Sequence, residues 1–373
     1  MILNKIELIN YRNYRKTNIS FSPSINVIIG NNAQGKTNIL ESIYVLAITK
    51  SYRTNNDTNL IRFDSDVFVL KGSVKSEYSI KDLSVSFDRY KKVTKINGKQ
   101  IKKISDYITN FNVILFAPED LEIIKGAPSV RRNLLNIEIG QISSKYINYY
   151  NEFNKILKSR NDYLKMLGIN SVYDNRYLDI LTDSMIEREV PIYIDRKKFI
   201  DRINLYIDDI FYNITGIKGL HVVYESSIDL SDLDFEILKN KIKEKYKNSI
   251  NKEINQGFTL YGPHRDDFTF FIDKRDIKLF GSQGQQKLAI IAFKLAEIYI
   301  FKEDTGTFPV LLLDDIFSEL DKFKKNNLIK YLQGDIQVII TSNDTKDISK
   351  KILDKAKIYK IINGNIIEKD GKK

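Results

Sequence analysis

Gly30-Asn31-Asn32-Ala33-Gln34-Gly35-Lys36-Thr37 carries the spacing G-x-x-x-x-G-K-[ST] at every fixed position, the pattern of a loop that wraps nucleotide phosphates. Upstream, Ile25-Asn26-Val27-Ile28-Ile29 is a short β-rich run. Downstream, Asn38-Ile39-Leu40-Glu41-Ser42-Ile43-Tyr44-Val45-Leu46 has apolar residues at helical spacing. Strand, loop and helix therefore stand in the order the pattern requires. Gly30 and Gly35 let the backbone curl, so that the N–H groups of the loop and the helix start face a polyphosphate. Lys36 is expected to reach the β- and γ-phosphates of ATP, and Thr37 to hold Mg²⁺.

Far along the chain, Phe308-Pro309-Val310-Leu311-Leu312-Leu313-Asp314-Asp315 is a continuous apolar run that ends in two carboxylates. Such a run suits a parallel strand buried on both faces, and ligands of such sheets bind at the C-terminal strand edge. Asp314 is placed to hold Mg²⁺ through its hydration shell, and Asp315 to polarise the attacking water, with Glu319 the next candidate for that acid.

Composition narrows the classes. The 373 residues, 42% of them hydrophobic, suffice for two or three domain-sized units. The chain lacks a run of eighteen apolar residues, and Met1-Ile2-Leu3-Asn4-Lys5-Ile6-Glu7 lacks the features of a signal peptide, so a cytoplasmic protein without membrane partners is expected. Zero Cys excludes disulfides and thiolate metal sites, and the two His, His221 and His264, leave little for imidazole-based metal chemistry. Oxygen-held Mg²⁺ remains. The net charge of +11 suits a polyanion such as DNA, although a chain this rich in Lys, Ile and Asn could equally reflect an A/T-rich genome.

Residues 1–29 and 66–97 alternate in short β-like runs, the latter ending at a hairpin-type Asn97-Gly98. Residues 111–116 form another strand candidate, stopped by Ala117-Pro118. Tyr146, Ile147, Tyr150, Phe153, Ile156, Leu157, Tyr163, Leu164 and Leu167 then recur at three- and four-residue steps, one long amphipathic helix. A second helical stretch over 177–212 holds Pro191, a kink or break, and the basic cluster Arg196-Lys197-Lys198, which reads either as a solvated face or as a DNA contact. After a polar stretch, 235–247 reads as a charged helix. Sheet character returns at Phe258-Thr259-Leu260 and Phe268-Thr269-Phe270-Phe271-Ile272.

Between the two nucleotide motifs, Leu279-Phe280-Gly281-Ser282-Gln283-Gly284-Gln285-Gln286-Lys287-Leu288 opens a helical pattern. By itself this loop reads as a helix cap or as an anion site. It resembles the signature loop of ABC-type ATPases, in which Ser and Gly at a helix start contact the γ-phosphate held by the other subunit; Ser282, Gln283, Gly284 and Gln285 fall on that pattern. Ser318-Glu319-Leu320-Asp321 resembles the D-loop of the same proteins. Over nearly its whole length the chain resembles the RecF family of bacterial recombination and replication-repair ATPases, which share a head architecture with SMC proteins. The stretches that carry the likeness are Asn10-Tyr11-Arg12-Asn13-Tyr14, Lys50-Ser51-Tyr52-Arg53-Thr54, Pro118-Glu119-Asp120-Leu121-Glu122-Ile123-Ile124-Lys125-Gly126-Ala127-Pro128-Ser129-Val130-Arg131-Arg132 and Tyr261-Gly262-Pro263-His264-Arg265-Asp266-Asp267.

The resemblance implies an α/β fold: an ABC-type P-loop ATPase head built from 1–125 and 251–373, with an inserted, mostly helical lobe over 126–250. It implies ATP and Mg²⁺ as cofactors, a homodimer closed head to tail on ATP, DNA as partner, and a role in helping RecR- and RecO-type mediators load RecA; the basic residues Arg53, Arg196, Lys197 and Lys198 are the candidate DNA contacts. Two departures from ABC ATPases stand out. Pro118-Glu119-Asp120 and Thr341-Ser342-Asn343 occupy the places of the usual Gln and switch His, and Asp315 replaces the usual Glu, so slow hydrolysis is expected. The competing readings are the nucleotide-binding subunit of an ABC transporter, and a clamp that uses ATP only as dimerisation glue.

Overall fold

The computed structural model describes residues 1–373 apart from 78, 170–174, 320–321, 332–333, 363 and 370–373. The chain forms two compact units. One comprises Met1–Leu121, Ile207–Lys218 and Lys287–Lys373, the other Glu122–Tyr206 and Gly219–Gln286.

The first unit holds two six-stranded sheets. In one, the spatial order is Asn365–Lys369, Ala356–Ile362, Ile25–Ile29, Val338–Ser342, Val310–Asp314 and Val113–Phe116. The terminal hairpin is antiparallel, and every other neighbouring pair is parallel. Val310–Asp314 lies inside this sheet with all five residues buried, which is why its sequence is apolar without alternation. The other sheet, in the order Tyr14–Ser20, Ile2–Tyr11, Phe68–Lys75, Ile80–Phe87, Lys92–Ile96 and Lys99–Ile101, is antiparallel throughout. Its last hairpin turns at Asn97 and Gly98 with φ of 50° and 78°, the left-handed pair that a two-residue turn between twisted strands requires.

The helix Lys36–Ile48 touches strands of both sheets. A helix so placed is buried nearly all round, and Ile39, Leu40, Ile43, Val45, Leu46 and Ala47 lose all exposure to solvent. Glu41, also fully buried, is neutralised by the Arg12 guanidinium, which donates from Nε and Nη2 to its two oxygens at 2.8 and 2.7 Å.

The second unit mixes helices with a sheet. Pro128–Ile142, Ser144–Ile169, Phe235–Gln256 and most of Asn175–Thr215 accompany the antiparallel strands Leu220–Glu225, Asp267–Ile272 and Arg275–Asp276. Three sequence expectations change here. The lobe is mostly helical, as expected, but Leu220–Glu225, hidden in a polar stretch, pairs along its whole length with Asp267–Ile272. Residues 251–286 therefore follow that sheet into the second unit rather than the head. Residues 258–260 form no strand: Thr259 N–H donates to Asn161 Oδ1 and Leu260 N–H to Glu253 Oε1, both at 2.8 Å, so side chains take the bonds a neighbouring strand would supply. The helix Asn175–Thr215 runs through Pro191 unbroken, held on either side by buried Val190, Ile192 and Tyr193.

Candidate functional site

The phosphate loop leaves the C-terminal end of Ile25–Ile29 and enters the helix Lys36–Ile48. Gly30 is required by close approach: a Cβ there would stand 2.8 Å from the carbonyl oxygen of Ile361 on the neighbouring strand. Gly35 caps the helix at φ 108°, and a Cβ would meet Tyr14 Oη at 2.6 Å and Asn13 Nδ2 at 2.7 Å. Among the described residues no side chain caps this helix start, so its first backbone N–H groups are left for a ligand, and such a helix start can bind phosphate. Asn31, Asn32 and Ala33 are exposed and Gln34 half-buried in the arch, with Ala33 at φ 63°.

Lys36 is 7% exposed, and its ammonium donates to the carbonyl oxygens of Gly30 and Asn31 at 2.7 and 3.0 Å and to Asn343 Oδ1 at 2.9 Å. Burial pushes its pKa down, opposed by the negative charges of Asp315 and Asp314. Thr37 Oγ1 donates to Asp314 Oδ1 at 3.1 Å, although 277 residues separate them. Thr341 Oγ1 donates to the same oxygen at 2.6 Å, and Tyr52 Oη to Asp314 Oδ2 at 3.1 Å. A hydroxyl and a carboxylate side by side at the sheet edge are hard oxygen donors, a set that fits Mg²⁺, which takes few protein ligands and keeps its waters. When bound, that ion would neutralise charge between the β- and γ-phosphates. Asp315 turns away from the strand at φ 53°, its N–H held by Thr341 Oγ1 at 3.1 Å.

The remaining candidates fall in several places. Ser318 and Glu319 lie in the 3₁₀ turn Ile316–Glu319, their side chains outside the description, and Asp321 lies outside the described residues. Ser282 starts the helix Gln283–Thr305 with a reciprocal cap: its N–H donates to Gln285 Oε1 at 2.9 Å and its Oγ accepts from Gln285 N–H at 3.2 Å. Ser282, Gln283 and Gly284 are exposed. Among the described residues nothing needs Gly284 to be glycine, since a Cβ there would find only Ser282 Oγ, 4.0 Å away.

Among the proposed DNA contacts, Arg196 is corrected. It is fully buried, and its guanidinium donates to Tyr146 Oη at 3.0 Å, Asn136 Oδ1 at 2.9 Å and the Pro263 carbonyl oxygen at 2.5 Å. An arginine so committed cannot meet a phosphate. Lys197 pairs with Asp201 at 2.5 Å, Lys198 is exposed, and Arg53 Nη1 bonds Asn38 Oδ1 at 3.0 Å on the phosphate-loop helix. His264 and Arg265 brace the second unit. Burial pushes the His264 imidazole down to about 4, and the Arg265 guanidinium lies 5.1 Å over the Phe258 ring.

Sequence reasoning passed over Tyr52, Thr341 and Asn343 as site residues. The first had a signal, its place in one of the family-like stretches. Asn343, standing where ABC ATPases carry their switch His, signalled only by what it replaces.

Known proteins of similar sequence and fold bear on this site. Residues 2–366 match the family described as the RecF/RecN/SMC N terminal domain. The DNA replication and repair protein RecF of Ligilactobacillus salivarius (strain UCC118) is 42% identical over 372 residues, covering 99% of this chain and 98% of that protein. The RecF of Bacillus thuringiensis (strain Al Hakam) is 39% identical over 368 residues, 98% of each. Among solved structures, the recombination mediator protein RecF with ATP, of the RecFOR pathway, superposes with a TM-score of 0.91 at 31% identity, over 99% of this chain and 97% of that one. The Smc head domain of Pyrococcus furiosus shares the fold, with a TM-score of 0.54 at 16% identity over 99% of this chain and 96% of that one. No helix among the described residues is long and apolar enough to cross a membrane.

Proposed function

The chain belongs to the RecF family of DNA replication and repair proteins, and we propose that it is an ATP-gated DNA-binding protein of recombinational repair. Two copies close head to tail on two ATP molecules. Each supplies residues 30–37, with Asp314 and Thr37 for Mg²⁺, to one site and Ser282, Gln283, Gly284 and Gln285 to the other. Closure gathers basic surface from both copies for double-stranded DNA or single/double-strand junctions, and slow, DNA-stimulated hydrolysis, with Asp315 polarising the water, releases it. The solved relative's place as a recombination mediator in the RecFOR pathway supports RecR- and RecO-type partners, and the same reading includes help in loading RecA at gaps.

The observation that carries the shared site is Gly284. Glycine inside a helix costs about 0.5–1 kcal/mol against alanine, and this one, in the first turn, is exposed, with only Ser282 Oγ at 4.0 Å, an ordinary contact, where a Cβ would stand. Among the described residues nothing supplies a need for a bare backbone there, and a nucleotide approaching from a second copy would. The test is DNA affinity measured across salt with and without ATP. Affinity falls with salt in both cases, as for any basic protein, and rises with ATP. Binding indifferent to ATP counts against a closing clamp, and ATP-dependent binding without turnover would make the nucleotide only glue.

A further inference from the structure

Two stretches that flank the nucleotide site, around Arg12 and around Tyr52, meet on Glu41. This carboxylate sits one turn beyond Thr37 on the phosphate-loop helix and has no exposure to solvent. Arg12, in the left-handed region at φ 52° at the turn after Ile2–Tyr11, grips both of its oxygens. Ser51 Oγ donates to Glu41 Oε1 at 2.6 Å and accepts from the N–H groups of Arg53 and Thr54 at 2.9 and 3.1 Å. That fastens the segment following the helix back onto it. Tyr52 is thereby set edge-on against Tyr44, centroids 5.4 Å apart at 84°, with its hydroxyl on Asp314 Oδ2 at 3.1 Å.

Asp314 is 5% exposed, and both of its oxygens are held by hydroxyls: Oδ1 by Thr37 and Thr341, Oδ2 by Tyr52. Three donors from three separate segments leave the carboxylate one orientation, with Oδ1 turned to the Thr37 hydroxyl. We propose that Tyr52 is a positioning residue for Asp314, the carboxylate that would hold Mg²⁺, braced through Ser51 and Glu41, so that Asp314 and Thr37 are aligned before the ion arrives. The inference rests on Asp314 and Thr37 being the metal donors. A group that orients a metal ligand acts on metal affinity rather than on the phosphate contacts, and loss of such a partner weakens metal binding by about tenfold or more.

The experiment titrates MgCl₂ into the full-length protein with a fluorescent, non-hydrolysable ATP analogue, and repeats the binding in EDTA. Tyr52→Phe keeps the ring against Tyr44 and removes only the hydroxyl. Its half-saturating Mg²⁺ should rise about tenfold or more, with affinity in EDTA unchanged. Ser51→Ala, which frees the brace while leaving Tyr52 intact, should shift the Mg²⁺ requirement the same way by less. A Tyr52→Phe requirement within twofold of the parent overturns the proposal, and so does an equal loss of affinity with and without metal, which would make Tyr52 a packing residue. If the parent itself binds the analogue indifferently to Mg²⁺, the metal assignment of Asp314 fails and the inference falls with it.

Discussion

Ser282 separates a helix cap from a residue that acts across a dimer, and the cap geometry sets the size of each effect. Its two reciprocal bonds with Gln285 make a capping box, and loss of an N-cap costs about 1 kcal/mol. In a chain of this size that amounts to about 2 °C in Tm, and to no more than about a fivefold change in any equilibrium linked to folding. Ser282→Arg loses the cap and adds bulk, whereas Ser282→Asp keeps it, since Asp caps as well as Ser. In the shared-site model the Asp variant sets a carboxylate against a γ-phosphate. A pair of unit charges 4 Å apart repels by about 4 kcal/mol at an effective dielectric of 20, close to a thousandfold. Both variants should bind ATP as monomers, and both should fail to dimerise with ATP in sedimentation velocity, the Asp variant at unchanged Tm. Mixing Ser282→Arg with Lys36→Met gives a heterodimer with one site carrying both lesions and one carrying neither, so part of the ATP-dependent dimer and turnover should return. The reasoning is refuted if Ser282→Asp dimerises at the parent's concentration, or if the mixture stays as inactive as either mutant alone while both remain folded.

Three further outcomes follow from the geometry. Lys36→Met removes the ammonium that the loop would bring to the β- and γ-phosphates. With charge-assisted bonds worth about 1.5–3 kcal/mol each, loss of two such bonds to phosphate should lower ATP affinity by calorimetry at least about a hundredfold, and an unchanged affinity would remove Lys36 from the site. Asp315→Asn should keep Mg²⁺–ATP bound and lengthen the life of the dimer while slowing single-turnover hydrolysis by about a hundredfold or more; turnover at the parent rate would pass the acid role to Glu319. In the second unit, burial pushes the Glu189 carboxyl up to about 8, with Tyr246 Oη donating to Oε2 at 2.9 Å. Between the unfolded value of 4.5 and about 8 the folded chain keeps a proton that the unfolded chain releases, so this group lowers stability as pH rises through that window. Glu189→Gln should therefore gain in Tm over the parent from pH 5 to pH 8, and a difference that stays flat with pH contradicts the buried neutral acid.

The phosphate loop, its flanking strand and helix, the acidic strand and the Asn97-Gly98 turn were legible in the sequence because each is governed by contiguous residues. Glycine supplies a left-handed φ, an apolar run without alternation signals two buried faces, and a terminal carboxylate marks a strand edge. Side-chain partnership is a different matter. Arg196 looked like part of a basic helical face, yet its acceptors lie 50, 60 and 67 residues away, and only their convergence turns a surface charge into a buried brace. Leu220–Glu225 was invisible in a polar stretch because a short strand owes its existence to the strand beside it. Tyr52 meets Asp314 across 262 residues, since the parallel sheet order sets Val310–Asp314 next but one to Ile25–Ile29 and so beside the phosphate loop. The sequence by itself determined which local backbones could form and which chemistry they could bring. The tertiary structure decided which polar groups were spent on one another, because the energy of burying a charge or a hydroxyl depends on a partner that chain order does not name.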